Sequence, residues 1–169
     1  MEHSELLDAS EHLAYETQML AETQMLLETG IGRLPYLLAD KEAVICYNAL
    51  LESFLIHARV LIFFFYPPKG SIHDDDVLAK CFFATNTEWQ NWESAVLSTR
   101  ENFLKNMRIE ANKRVAHLST HRGKMVNGYT WTPELRSQLS QYLLILLRSF
   151  AENVPRNNLH QKFIDCIGL

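Results

Sequence analysis

Glycine and proline are scarce in this chain, and their placement limits what it can fold into. The 6 glycines and 5 prolines fall between long stretches of periodic apolar residues. An all-β protein would instead show turn residues about every 8–12 positions. The stretch from Ser4 to Thr29 repeats leucine at every seventh position: Leu6, Leu13, Leu20 and Leu27. The pattern predicts few, long helices, of which this stretch is the first.

The most apolar stretch of the chain is predicted to form the second helix. Asp40 stands at the N-cap position before it, and Pro67-Pro68 ends it. The stretch is long enough to cross a bilayer, but Glu52, His57 and Arg59 lie near its middle. Because a charged side chain costs about 2.5–3.5 kcal/mol at the bilayer centre, we interpret it as a buried central helix and expect no membrane association.

Three further helices are predicted downstream, and Thr87 is the expected N-cap of the first of them. They run from Glu88 or Trp89 to about His121, from Thr132-Pro133-Glu134 to Pro155, and from Asn158 to Ile167. Only the last is short. The sequence thus predicts an all-α protein in one domain over residues 1–169, an antiparallel bundle of four long helices with short accessory helices.

Charge and cysteine content limit the class of protein. The 169 residues include 16 basic and 20 acidic side chains, for a net charge of −4. Non-specific coating of nucleic acid is therefore not expected, although the interval from Arg108 to Lys124 is locally basic. Cys46, Cys81 and Cys166 are odd in number and widely spaced, which is typical of reduced thiols. With no secretory signal at the acidic N-terminus, we expect a cytoplasmic protein.

Several motifs of catalysis and cofactor binding are missing from the sequence. It contains no GxGxxG or GxxxxGK[ST] loop for nucleotide phosphates and no ExxH pair of a di-iron bundle. It also lacks the GxSxG and HExxH motifs of hydrolases. We therefore expect no cofactor.

Two groups of ionisable residues need an explanation. In the first, Glu52 and Arg59 share one face of the second helix, with His57 one position round. Because unpaired buried charges are costly, Glu52 and Arg59 are expected to pair with each other, with a neighbouring helix or across a subunit interface. A structural ion pair and a role in orienting a site both fit this pattern.

The second group is the basic segment NKRVAHLSTHR, from Asn112 to Arg122. At about 100° per residue, Arg114, His117 and His121 fall within about 60° of arc on a helix. Histidine moves protons to and from hydroxyl or leaving oxygens near neutral pH, and arginine stabilises charge that grows on phosphorus. The group therefore suits phosphodiester cleavage. Cations in a last helical turn also complement the helix dipole, which leaves a structural role open.

A metal site is a further alternative. His117 and His121 have the i, i+4 spacing of a ligand pair, which His57 of a facing helix would complete. Zinc and nickel sites of DinB-like helical bundles are built in this way. Arg114 and Arg122 beside the pair would oppose a dication.

The segment Asn112-Lys113-Arg114-Val115-Ala116-His117, with the long helix NALLESFLIHARVLIFFFY before it, resembles the HEPN superfamily. This family consists of small helical bundles of toxin-antitoxin and abortive-infection modules. Its signature is an arginine, usually followed by a polar residue, and a histidine four to six positions on. With Asn112 as the polar residue, Ala111 occupies the place of the arginine.

The resemblance implies a homodimeric, metal-independent endoribonuclease of a stress or phage-defence system, with RNA and a protein such as an antitoxin as partners. The implied catalytic residues are Arg114, His117 and His121. Residues that would bind RNA or orient this group are Glu52, His57, Arg59, Asn112, Lys113 and Arg122. Ala111 keeps a non-catalytic interaction or RNA-binding module open, with a partner surface from the first-helix leucines or from Trp89, Trp92 and Trp131.

Overall fold

A computed structural model of the chain describes residues 2–29, 41–68, 70, 72–115 and 131–169, except for the side chains of residues 114 and 115. Over these residues the protein contains six α-helices and no strand. The prediction of an all-α fold is confirmed.

The first helix, α1, spans His3–Glu28 and carries the leucine repeat into the core. It begins in a capping box, in which the backbone N–H of Glu2 donates to the Glu5 carboxylate over 2.7 Å. All four leucines of the repeat are buried: Leu6, Leu13, Leu20 and Leu27. The suggestion that they form a partner surface is wrong, because this apolar stripe packs inside the chain itself.

The second helix, α2, spans Lys41–Phe65 and ends before Pro67, as the sequence predicts. The predicted N-cap, Asp40, lies outside the described residues. Five side chains of α2 are fully buried: Phe54, Leu55, Ala58, Leu61 and Ile62. In the described part of the chain α2 is the one helix long and apolar enough to cross a membrane, and half of its most apolar window is buried in the protein. The core helix of a globular protein has this same composition.

The predicted third helix is in fact two helices, α3 over Asn86–Val96 and α4 over Glu101–Val115. They are separated by a 3-10 turn over Leu97–Thr99. In this turn the hydroxyls of Ser98 and Thr99 donate to backbone carbonyls one turn earlier, over 2.6 and 2.8 Å. Side-chain hydroxyls that bond to the backbone compete with regular helix, which accounts for a break that no glycine or proline marks.

The start of α3 also differs from the prediction, because its N-cap is Thr85 and not Thr87. The Thr85 hydroxyl accepts from the backbone N–H of Glu88, and the Glu88 carboxylate accepts from the backbone N–H of Thr85, both over 3.2 Å. This reciprocal capping box satisfies two backbone donors at once. The predicted helix end at His121 lies outside the described residues.

The last two helices are α5, over Pro133–Asn153, and α6, over Gln161–Ile167. Thr132 caps α5 by accepting from the backbone N–H of Leu135, with proline in the first turn, as predicted. Helix α6 begins later than predicted because Arg156–Asn158 first forms a 3-10 turn.

Aromatic side chains fill the core between α2, α3 and α5. Their ring centroids lie 4.9–6.2 Å apart, mostly edge to face, in a cluster of Phe64, Phe65, Phe82, Phe83, Trp92 and Phe150. Trp92 and Trp131 are each only 5% exposed, and the half-buried Trp89 packs edge-on against Phe83. The suggested partner surface built from the tryptophans is therefore wrong as well.

Candidate functional site

The residues singled out from the sequence are divided between the described and the undescribed parts of the chain. Glu52, His57 and Arg59 lie on α2, and Asn112 and Lys113 lie near the end of α4. Outside the description are the whole of His117, His121 and Arg122 and the side chain of Arg114. The predicted catalytic group and the alternative metal site of His57, His117 and His121 thus remain predictions. Among described residues, no group of three or more His, Cys, Asp or Glu side chains could hold a metal ion.

His57 of α2 is paired with Glu16 of α1. The His57 Nδ1 lies 2.7 Å from the Glu16 Oε2, and His57 is 8% exposed. Tyr15 stands edge-on to the imidazole, with ring centroids 5.8 Å apart. Because an ionised carboxylate only accepts hydrogen bonds, this geometry assigns the hydrogen to Nδ1 and leaves Nε2 as the nitrogen with a free lone pair in the neutral ring.

Glu16 was not among the residues singled out from the sequence. The only signal for it is its position between Leu13 and Leu20, which places a carboxylate beside the buried stripe of α1. A carboxylate on one ring nitrogen fixes the orientation of the imidazole, an arrangement found at metal-binding and acid-base histidines alike.

Arg59 of α2 points to a different neighbour. Its Nη1 donates to the Oδ1 of Asn112 on α4 over 3.3 Å, so the structure brings together two residues that the sequence had singled out separately. At the end of α2, Arg108 Nη1 donates to the carbonyl of Tyr66 over 2.8 Å. The first bond joins Arg59 to Asn112, and the second joins Tyr66 to Arg108. Because the residue numbers rise along α2 while they fall along α4, the two helices run in opposite directions.

The charge of Arg59 is not matched by a carboxylate in the described part of the chain. Among the described residues, no Asp or Glu oxygen lies within 4.0 Å of its guanidinium, and the ion pair with Glu52 considered from the sequence is not formed. Of the partners expected for Arg59, the structure shows one on a neighbouring helix, the neutral amide of Asn112.

The other described cations near the end of α4 are held differently. Lys113 is exposed and pairs with Glu110 over 2.7 Å. Burial lowers the pKa of the Arg108 guanidinium, which the Tyr66 carbonyl holds in place. Arg59 differs from both of these residues, because no carboxylate and no backbone carbonyl in the described part of the chain accepts a hydrogen bond from its guanidinium.

An open groove of about 660 Å³ lies between α1 and α6 and was not predicted. It is lined by Glu11, Tyr15, Lys162 and Cys166, among others. Glu11 and Lys162 are already paired with each other. Burial raises the pKa of the Cys166 thiol, with the nearby Glu22 adding to the shift. A raised pKa favours the protonated thiol, which is a weak nucleophile.

Comparisons with protein-family models, with curated proteins and with solved structures find no match to this chain.

Proposed function

We propose that the chain is a HEPN-like, metal-independent endoribonuclease of a stress or phage-defence system, acting as a cytoplasmic homodimer. Its single domain would be an antiparallel bundle in which the four long helices are α1, α2, α4 and α5. The observation that supports the proposal is the Arg59–Asn112 hydrogen bond, which fixes the first residue of NKRVAH against the central helix. A basic segment anchored in this way can hold its cations in a defined position.

In the proposed reaction, His117 or His121 takes the proton of a ribose 2′-hydroxyl, whose oxygen attacks the adjacent phosphorus. The bond from phosphorus to the 5′-oxygen breaks, and that oxygen receives a proton from the other histidine. The products are a 2′,3′-cyclic phosphate and a 5′-hydroxyl. Arg114 stabilises the negative charge that grows on the phosphoryl oxygens, so no step requires a metal.

The test is cleavage of RNA by purified protein in the presence of a chelator, with detection of the cyclic phosphate. We expect His117→Ala and His121→Ala each to reduce cleavage by about 100-fold or more, the contribution of a general acid or base, and Arg114→Ala to reduce it by a similar factor, the contribution of a group that stabilises developing charge. His73→Ala, which removes an exposed histidine of a loop, is the matched control. Cleavage that survives all three substitutions overturns the proposal.

The second candidate function is a non-catalytic module that binds another protein or a second copy of this chain. It is favoured by exposed apolar residues on α2 and α4, which replace the buried leucines and tryptophans as a candidate surface: Ile45, Ile56, Val60 and Ile109. The mass in solution tests the homodimer, which the first candidate requires and the second includes as one of its two forms. We expect a dimer for the wild type and a monomer for Ile56→Asp combined with Val60→Asp, whereas Ile72→Asp in the loop should leave the mass unchanged.

A further inference from the structure

We infer that Arg59 is a phosphate-binding residue, which holds a backbone phosphate of single-stranded RNA beside the motif segment. The inference takes its location from the proposed function. Its content, a direct contact between one guanidinium and one phosphate, does not require that the RNA be cleaved.

Ala111 stands where the motif would carry arginine. Ala111 is 1% exposed and belongs to the hydrophobic core. Its side chain therefore points into the protein and has no charge with which to bind a ligand. A cation that serves the start of the motif must come from another position.

Arg59 is such a cation. Its Nη1 bonds to the side chain of Asn112, the residue that directly follows Ala111. The guanidinium thus comes from α2, 53 positions earlier in the chain, to the start of the motif. One of its five N–H donors is used in this bond, and in the described structure Arg59 makes no other hydrogen bond.

The remaining donors suit an anion with two or more oxygens. A guanidinium offers parallel N–H groups that fit phosphate in a bidentate way, and Arg59 is partly buried, which strengthens such a pair relative to one in bulk water. Arg100 provides a contrast, since its guanidinium lies 4.8 Å from the centroid of the Tyr142 ring and bonds to Thr99.

The experiment measures binding of a short, fluorescent 2′-O-methyl RNA, which lacks the attacking hydroxyl, by anisotropy over a range of salt concentrations. We expect Arg59→Ala to weaken binding about tenfold and to reduce the salt slope, d log K/d log [salt], by about 0.7, the value for one phosphate contact on a single strand. Arg59→Lys should keep the slope because it keeps the charge, but lose part of the affinity because it loses the bidentate geometry.

Two control variants distinguish a direct contact of Arg59 with phosphate from a merely structural role of Arg59. Arg100→Ala removes a cation elsewhere and should leave affinity nearly unchanged. Asn112→Ala removes the neutral anchor, so it should weaken binding without changing the salt slope. A merely structural role of Arg59 would likewise change affinity but not the slope. Circular dichroism identifies any variant that fails to fold, and for such a variant Arg59→Gln takes the place of Arg59→Ala.

The outcomes distinguish this inference from the proposed function. If the wild type binds RNA and Arg59→Ala reduces the salt slope, the inference is supported even when no RNA is cleaved. Only the proposed function fails in that case. An unchanged slope in folded Arg59→Ala or Arg59→Gln overturns the inference even if cleavage is observed. Absence of RNA binding by the wild type also overturns it.

Discussion

His57 and Arg59 are close in sequence, but they meet different kinds of partner at two helix interfaces: His57 meets a carboxylate, and Arg59 meets a neutral amide. At the interface of α1 and α2, His57 meets the Glu16 carboxylate over 2.7 Å. At the interface of α2 and α4, Arg59 donates to the neutral amide of Asn112 over 3.3 Å, and no described carboxylate lies within 4.0 Å of its guanidinium. A carboxylate and a guanidinium both make charge-assisted hydrogen bonds, so the two contacts differ in length and burial: the His57 bond is shorter and more buried, and it should stabilise the fold more. The first interface is therefore expected to contribute mainly to stability, and the second to the proposed phosphate contact.

The largest effect should come from removing the carboxylate at the interface of α1 and α2. We expect Glu16→Ala to lower the free energy of unfolding by about 2 kcal/mol, since the buried imidazole loses a charge-assisted hydrogen bond. Urea denaturation measures the loss. Glu22→Ala, on an exposed position of the same helix, should cost less than about 0.5 kcal/mol. Equal losses in the two variants would mean that the Glu16–His57 pair stabilises the fold no more than an exposed carboxylate does.

Tyr66, at the end of α2, makes the contact of α2 with the 3-10 turn before α4 sensitive to alkaline pH. Its hydroxyl donates to the carbonyl of Leu97 over 2.7 Å, and burial raises its pKa, with Glu101 adding to the shift. Because the neutral phenol is favoured in the fold, this stability is complete below about pH 10 and is lost as pH rises toward the higher folded pKa.

Tyr66→Phe tests this sign. We expect it to cost about 1 kcal/mol at neutral pH, the contribution of one hydrogen bond. It should also remove part of the loss that the wild type shows between about pH 9 and pH 11, as measured by urea denaturation at each pH. Identical pH dependence in the two proteins would exclude Tyr66 as the source.

Removing Arg59 should cost less stability than removing Glu16. Arg59→Met keeps much of the apolar stem and loses one long hydrogen bond, of 3.3 Å, from a partly exposed guanidinium, so we expect a loss of about 0.5–1 kcal/mol in urea denaturation. A loss as large as that of Glu16→Ala would mean that both faces of α2 are mainly structural.

The smallest expected effect is that of metal removal. If the reaction is metal-independent, elemental analysis of purified protein should find no stoichiometric zinc or nickel, and a chelator should leave RNA cleavage unchanged. In the alternative metal site the Nε2 of His57 would act as a ligand, while its Nδ1 keeps the hydrogen bond to Glu16. Near-stoichiometric metal that disappears in His57→Ala would establish the alternative site of His57, His117 and His121.

Local signals allowed the helices to be predicted better than the contacts between them. The capping threonine and proline of α5 and the prolines after α2 act within a few residues, so their effects follow from the sequence. The break between α3 and α4 was missed because Ser98 and Thr99 are not strong breakers by type. Their hydroxyl bonds become visible only in the fold.

For the candidate site, residue types could be predicted but not their partners. Arg59 and Asn112 each stood out by composition and position, whereas their hydrogen bond joins residues 53 positions apart and depends on how α2 and α4 pack. Glu16 was missed because the apolar repeat of its helix indicates the buried leucines and gives no signal for the partner of a carboxylate beside them. No rule of spacing within one helix connects it with His57, 41 positions later.

The burial of Ala111 limits which side chains this position of α4 accepts. Replacing Ala111 with arginine would bring a long charged side chain into a packed core, at a cost of several kcal/mol unless the neighbouring side chains repack. A small apolar residue at this point lets α4 pack closely against the core, so a designer who wants a cation at this end of α4 would have to place it at a more exposed position.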